Sequence, residues 1–203
     1  MADYRAVATV TEAVLQLLRS NYRPEDFGQE LEFKVFTAKD FTKPLSAGVS
    51  LFLYRIFPNG VQRTPPSRPA PDGRRFPSLL PLDLHLLLTV WGKEASLQHT
   101  IAGWMMRVLE DHPIFPAALL NAVTPGVFRA DETVELSLTE LTNEDLLRIW
   151  DTLVQNVYQL SVPYVARMVR IESPRPISEG GGEVQERVLR AAELAAVGAE
   201  ARP

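Results

Sequence analysis

A row of alternating leucines constrains the fold of this chain more than any other feature of its sequence. In the segment 79–91, which reads LLPLDLHLLLTVW, every second residue from position 80 to position 88 is leucine. Side chains two residues apart lie on the same face of a β-strand, and polar residues occupy several positions between them. One face of this strand is therefore wholly apolar, and the chain must build a sheet that buries this face in a core.

Helices and strands both occur along the rest of the chain, in the order helix, strands, helices, strand, helix, strand. Apolar residues at helical spacing predict four helices, within residues 2–20, 94–112, 116–123 and 141–158. Alternating or continuous apolar runs predict four further strands, over residues 31–36, 48–57, 132–138 and 161–173. This order of elements predicts the α+β fold class, with a single domain in which helices flank a mixed or antiparallel sheet.

Two local signals concern the strands. Asn59-Gly60 follows the strand 48–57 and is the dipeptide best suited to a tight hairpin turn, after which Val61 and Gln62 could begin a return strand. Pro163 lacks the N–H that a central strand needs. We therefore predict that the strand over 161–173 lies at a sheet edge, or that Pro163 marks only its start.

The helix within residues 141–158 has the clearest pattern. Thr142 and Asp145 form a capping box at its beginning, where acidic side chains also suit the positive end of the helix dipole. The predicted buried stripe of this helix comprises Leu146, Ile149, Trp150, Leu153 and Val157.

The stretch 63–77, RTPPSRPAPDGRRFP, is rich in proline and arginine, and we predict an irregular loop there. It contains four arginines and one acid, a local charge of +3 in a chain of net charge −4. The arginines are Arg63, Arg68, Arg74 and Arg75. Two interpretations stay open. The loop is a solvated connection, or it is a docking element, because arginine binds carboxylates and proline lowers the entropic cost of ordering.

The composition changes after Pro174. Residues 174–184 include three consecutive glycines and are typical of a flexible linker, while residues 184–197 are rich in alanine and favour only a weak helix. We therefore predict an α+β domain over residues 1–173, followed by a flexible linker and weakly helical tail over residues 174–203.

The composition also excludes several classes of protein. The 203 residues include no cysteine, which excludes disulfides, thiolate metal sites and thiol nucleophiles. The net charge of −4 argues against a general nucleic-acid binder. No apolar run approaches the roughly 20 residues that cross a bilayer, and the beginning, MADYRAVATV, does not have the pattern of a secretory signal. We expect neither nucleic acid nor membrane as a partner.

The sequence contains no enzymatic signature. His85, His99 and His112 lie 14 and 13 residues apart, which is not a metal-ligand spacing. The glycines at 180–182 follow no apolar strand and do not form a dinucleotide loop. We predict no catalytic residue, cofactor or metal, although carboxylates from distant segments can converge in space, so that a hydrolase stays as an alternative.

Several separated segments resemble one family when they are taken in order. They are MADYRAVATVTEAVLQLLR, GRRFPSLLPLDLHLLLTVWG, MMRVLEDHPIFPAALLN, ETVELSLTELTNEDLLRIWDTL and YQLSVPYVARMVRIES. Together they are similar to the tail-terminator (cap) proteins of extracellular contractile injection systems, the phage-tail-like particles of the virulence-cassette and antifeeding-prophage type. The resemblance covers about residues 1–173.

This resemblance implies a structural protein and no cofactor. Such caps form a six-fold ring on the distal end of the inner tube and the last sheath layer, stop the polymerisation of both, and have an α+β fold related to phage tail terminators. The expected partners are copies of the chain itself, the inner tube protein and the sheath protein. The expected location is the cytoplasm during assembly, and then a cytoplasmic or released extracellular particle.

The resemblance also suggests two candidate partner-binding surfaces. We expect the arginine loop to meet acidic groups on the tube rim or to line the ring. We expect the strand over 161–173, through Val165, Arg167 and Val169, to accept an extended arm of a sheath subunit by strand addition. The alternative function is an assembly adaptor or chaperone that binds tube or sheath subunits and is absent from the finished particle.

Overall fold

The computed structural model describes residues 2–60, 67–70, 72–154 and 157–177, and the statements that follow concern these residues. The chain forms two compact units. The first comprises Met1–Thr64 and Leu79–Glu172, and the second comprises Pro65–Ser78 and Ser173–Pro203. The predicted tail lies outside the described residues from position 178 onward.

The secondary structure follows the predicted order, with three short strands in addition. The strands are β1 (Glu32–Phe36), β2 (Gly48–Pro58), β3 (Ser67–Pro69), β4 (Arg75–Pro77), β5 (Leu80–Trp91), β6 (Ile114–Pro116), β7 (Thr133–Leu138) and β8 (Ser161–Ile171). The helices are α1 (Ala6–Asn21), α2 (Ala95–Asp111), α3 (Ala117–Val123) and α4 (Asn143–Leu153). Within the described ranges, each helix is too short or too polar to cross a membrane.

Six of these strands form one sheet, in the order β1-β2-β5-β8-β7-β6. β1 is parallel to β2, and every other neighbouring pair is antiparallel. The sheet is therefore mixed and has helices packed against it, which confirms the predicted α+β fold class. The antiparallel neighbour of β2 is β5, so the turn predicted at Asn59-Gly60 does not join β2 to its partner strand. The predicted return strand at Val61 and Gln62 lies outside the described residues.

The leucine row of β5 lies at the centre of the sheet and faces the main core. Leu82, Leu84, Leu86 and Leu88 are buried, while Leu80 at the start of the strand is 48% exposed. α1, α2 and α3 contribute to the same apolar cluster through Val10, Val14, Leu18, Ile101, Met105, Leu109 and Leu120. Full burial of one leucine stabilises a protein by roughly 1.5–3 kcal/mol, so this row anchors the fold.

A smaller cluster covers part of the opposite face of the sheet. It consists of Phe36, Phe41, Trp91 and Trp150, and Trp150 belongs to α4. Beside it, Trp91 Nε1 donates to the buried Ser50 Oγ at 2.7 Å. Because both faces are covered there, the first half of β2 is buried, as its apolar sequence predicts, whereas its second half is exposed.

Asp83 has a structural role within the leucine strand. Its Oδ1 accepts hydrogen bonds from the backbone N–H of Met168 at 3.1 Å and from Asn59 Nδ2 at 3.0 Å. Met168 has a φ of +62°, and the β5–β8 register shifts beside it, between Leu82 and Leu84. The carboxylate therefore stabilises a β-bulge whose backbone conformation is unfavourable for a residue with a side chain.

α4 begins as predicted but ends early. The Thr142 side chain accepts a hydrogen bond from the N–H of Asp145, which satisfies one amide of the first turn. Val154 is extended, and its N–H closes the last turn on the carbonyl of Trp150 at 2.8 Å. The predicted continuation to residue 158 is therefore wrong, and Val157 is 50% exposed instead of belonging to the buried stripe.

The second unit contains a hairpin where the sequence predicts an irregular loop. β3 and β4 pair antiparallel, with Arg68 opposite Phe76, and Gly73 has a φ of +82° in the connecting turn. The predicted irregular loop is therefore wrong for residues 67–69 and 75–77. In a two-stranded ladder one edge of each strand is unpaired, and a proline is tolerated there. We call the described residues 67–70 and 72–77 the arginine hairpin.

Replacing Leu86, which is fully buried at the middle of β5, tests the importance of the leucine row. We expect Leu86→Ala to lower the free energy of unfolding by about 2–5 kcal/mol, because it removes apolar contacts and leaves a cavity. The matched control, Leu147→Ala, truncates a leucine that is 52% exposed and should change stability by less than about 0.5 kcal/mol. Equal losses for both variants, measured by urea denaturation, would contradict the description of the core.

Candidate interaction surfaces

The arginine hairpin combines cations with an aromatic ring. The guanidinium carbons of Arg68 and Arg74 each lie 5.6 Å from the centroid of the Phe76 ring. Arg74 also pairs with Asp72 at 2.6 Å, and Arg75 is exposed. With three arginines and one acid, residues 67–77 have a formal charge of +2. Arg63, the fourth predicted arginine, lies outside the described residues.

The returning chain contacts this hairpin within the second unit. The backbone N–H of Ile177 donates to the carbonyl of Arg75 at 2.6 Å. The turn is closed by a hydrogen bond from the N–H of Ala70 to the carbonyl of Arg74 at 2.8 Å. The arginines are thus presented by an ordered backbone, which lowers the entropic cost of binding a partner.

β8 is not an edge strand, so the prediction that it accepts a sheath arm is wrong. It lies between β5 and β7 in the sheet. Val165 is 2% exposed and Val169 is fully buried, so of the three predicted contact residues only Arg167 is exposed. Pro163 is the third residue of β8 and precedes the residues registered with β7, so the other alternative, a proline near the strand start, is confirmed.

The edges of the sheet are β1 and β6, and both are modified in ways that oppose strand addition. β6 has three residues, with Pro113 before it and Pro116 at its end, and prolines cannot donate to a new strand. On β1, the Arg19 guanidinium of α1 donates to the carbonyl of Phe33 at 2.6 Å. Short length, prolines and charged side chains at an edge are the usual protections against uncontrolled pairing.

A groove of about 520 Å³ lies between the second half of β2 and α4. We call it the α4 groove. Its lining comprises Phe52, Tyr54 and Arg55 from the strand, and Leu141, Asp145, Arg148, Ile149, Thr152 and Leu153 from α4 and the residue before its cap. This groove is not predicted from the sequence, although the apolar composition of both faces of 48–57 and the strong apolar stripe of α4 are signals of two packed surfaces.

The charged side chains that line the α4 groove are Arg55, Asp145 and Arg148. Residues 140–154 contain the exposed acids Glu140, Glu144, Asp145 and Asp151 and one base, Arg148, a net charge of −3. Glu144 and Arg148 form an ion pair at 2.5 Å on the helix surface, which locally neutralises the only cation of this segment. The other acids of this segment are exposed to solvent.

One polar atom in the α4 groove has no partner. Among the described residues, the Tyr54 hydroxyl oxygen is buried and forms no hydrogen bond. Burial raises the pKa of Tyr54 above its usual value, so the phenol is neutral and able both to donate and to accept. A buried hydroxyl without a partner is unfavourable by about 1–3 kcal/mol, which a ligand group that bonds to it would recover.

The histidines and acidic side chains of the described residues lie apart from one another. The described part of the chain contains no group of three histidine, cysteine or acidic side chains close enough to hold a metal ion. His112 Nδ1 lies 2.9 Å from the carbonyl of Val108, a local contact at the end of α2. His85 lies near the Tyr54 ring, with a centroid distance of 5.9 Å. Burial lowers the pKa of His85, as does Arg55, while Asp83 raises it and Arg167 lowers it.

The fold defines an α+β protein with a mixed six-stranded sheet. The model of the Pvc16 N-terminal domain family matches residues 9–182. Because this match spans most of the chain, the chain belongs to the Pvc16 N-terminal domain family. No protein in the curated collection of sequences matches it.

Two solved structures are similar to this fold. The sheath/tube terminator of a PVC extracellular contractile injection system, in its extended state, aligns with 95% of this chain and 71% of its own length, at 16% identity and a TM-score of 0.59. The tube-terminating cap of the anti-feeding prophage aligns with 86% of this chain at 16% identity and a TM-score of 0.55. Only 56% of that cap is covered. The predicted resemblance to contractile-particle terminators is thereby confirmed at the level of family and fold.

The environment of His85 predicts a specific pH dependence of stability. Since its pKa is lower in the folded state, the unfolded chain binds more protons, and stability falls as the pH drops below about 6.5. We therefore expect the unfolding free energy of the natural chain, relative to that of His85→Gln, to be lower at pH 5 than at pH 7.5. A difference that does not change across this range would show that Arg55, Arg167 and burial do not act on His85.

Proposed function

We propose that this chain is the structural terminator of a contractile injection particle. In this proposal, copies of the chain form a six-fold ring at the distal end of the inner tube and of the last sheath layer, and the ring stops the polymerisation of both. The observation that carries the proposal is the fold match to two terminators, over 95% and 86% of this chain. The proposed partners are therefore the chain itself, the tube protein and the sheath protein.

The surfaces of the first unit support this role. A terminator needs one face that binds the growing polymer and another that recruits no further subunit. The proline-flanked β6 and the Arg19 contact on β1 leave the sheet poorly suited to open-ended strand addition. A head-to-tail contact that rotates each copy by about 60° closes into a ring of six instead of extending into a filament.

The same proposal covers location and chemistry. The chain would assemble with tube and sheath subunits in the cytoplasm and then remain in the particle, inside the cell or after release. It would act as a structural protein and not as an enzyme, in agreement with the cap and terminator proteins whose fold it shares. The alternative, an assembly chaperone absent from the finished particle, is distinguished by the composition of purified particles.

Omitting the chain tests the proposal. Particles assembled from the complete gene set should have a narrow length distribution and contain this chain. Without it, we expect tubes and sheaths of variable length, because nothing stops the addition of subunits, and expression of the chain in trans should restore uniform length. Electron microscopy and mass spectrometry of the particles provide the measurements. If particles assembled with the gene omitted are uniform and intact, the proposal is refuted. If particles assembled with the complete gene set have normal length but do not contain the chain, the chaperone is favoured.

The arginine segment has its own test. Replacing Arg63, Arg68, Arg74 and Arg75 with serine should reduce incorporation into particles by at least about tenfold, because close charge pairs at interfaces are strongly coupled. The control replaces Arg5, Arg23 and Arg107 with serine. These arginines belong to the first unit and are exposed, and their replacement should change incorporation by less than about twofold. Normal incorporation of the variant without the four arginines would exclude this segment as a docking element.

A further inference from the structure

β1 covers only part of the outer edge of β2. It pairs with residues 48–52, whereas β2 continues to Pro58. Among the described residues, no strand lies beside residues 54–58 on the side away from β5. We call these five residues the β2 edge. The sheet therefore has a short stretch of open edge in addition to the edges of β1 and β6.

The hydrogen bonds to β5 show which backbone groups of the β2 edge face outward. The N–H of Asn59 donates to the carbonyl of Pro81 at 2.9 Å, and Phe57, two residues earlier, is registered with Asp83. In an antiparallel ladder, every second residue bonds to the neighbouring strand, and the residues between them face the other way. Ile56 therefore presents both its N–H and its C=O away from β5. Pro58 presents only a carbonyl, because proline has no N–H.

The side chains of the β2 edge are exposed and largely apolar. Residues 55–58 are all exposed, with Ile56 at 47% and Phe57 at 49%. The register shift beside Tyr54 begins this stretch and Pro58 ends it, so that only a short segment can pair here. Unpaired backbone groups beside exposed apolar side chains are the combination that accepts an extended peptide by strand addition.

We propose that the β2 edge binds an extended segment of another protein of the particle, which lies beside β2 where β1 ends. We call this segment the guest strand. The inference rests on the proposed function, because the guest strand comes from a protein that adjoins this chain in the particle.

A second copy of the chain is not the source of the guest strand. The edges of β1 and β6 oppose strand addition, as described above. Two copies that pair through the same β2 edge make a two-fold contact, which stops at a dimer and does not continue around a ring. The guest strand therefore belongs to a different protein.

The β2 edge also defines the chemistry of the guest strand. Ile56 is registered with Leu84 and lies on the face of the sheet that contacts the main core, so an apolar guest residue beside Ile56 extends that face. Arg55 and Phe57 lie on the opposite face, where the guanidinium carbon of Arg55 is 4.5 Å from the centroid of the Phe57 ring. Arg55 forms no ion pair among the described residues, so an acidic guest residue on this face gains a charge-assisted hydrogen bond.

Photochemical cross-linking tests the position of the guest strand. Phe57 is replaced with the photoreactive residue benzoylphenylalanine, which keeps an aromatic ring at this exposed position. Particles that contain the variant are irradiated, and the products are identified by mass spectrometry. We expect one dominant product that joins this chain to a short segment of another particle protein. The control places benzoylphenylalanine at Tyr4, which is 81% exposed on the first unit and should not cross-link to that segment.

A proline substitution tests the role of the backbone. Ile56→Pro removes the outward N–H without removing a hydrogen bond to β5, and should lower the yield of the Phe57 cross-link at least about tenfold. The matched variant Ile56→Thr keeps the N–H and a β-branched side chain, and its yield should stay within about threefold of the natural chain. Circular dichroism of the purified variants checks that they fold.

The outcomes separate the inference from the proposed function. If the natural chain is absent from particles, the proposed function fails, and the inference fails with it. If the chain is present but the Phe57 position cross-links to nothing, or only to a second copy of the chain, the function stands and the inference is overturned. Equal yields for folded Ile56→Pro and Ile56→Thr would also overturn it, because a contact that ignores the backbone N–H is not strand addition. If Ile56→Pro does not fold, the identity of the cross-linked protein at Phe57 decides.

Discussion

Burial of the leucine row of β5 is the interaction on which the rest of the structure depends. β5 lies between β2 and β8, and its buried leucines share one core with α1, α2 and α3. The opposite face of the same strand includes Leu87, also buried, and ends at Trp91, which packs with Trp150 of α4. One strand thus holds together the main core and the helix that forms one wall of the α4 groove.

Local periodicity predicted most of the elements because it depends only on neighbouring residues. The leucine row, the helix cap at Thr142 and the ends of α2 and α3 were all readable from the sequence. The position of β8 was not, since strand order depends on pairing between residues far apart in the chain. Pro163 alone allowed either an edge or a strand start, and only the pairing with β7 decides between them.

The candidate surfaces show the same limit. The arginines of 67–77 were recognisable by composition, but the hairpin that orders them requires prolines at the unpaired sides of two short strands. The α4 groove was not foreseen because its walls come from β2 and α4, and Tyr54 gives no sign in the sequence that its hydroxyl lacks a partner. Composition therefore indicates candidate binding residues, whereas the shape of their surface depends on long-range packing.

In the proposed account of function, a ring stops two polymers by shape and charge, without chemistry. A reconstruction of the distal end of assembled particles, at a resolution that shows side chains, tests this account. It predicts one closed layer of this chain on the last tube and sheath layers, with no layer beyond it. Ends that lack the chain, or copies of it distributed along the tube, would contradict the account.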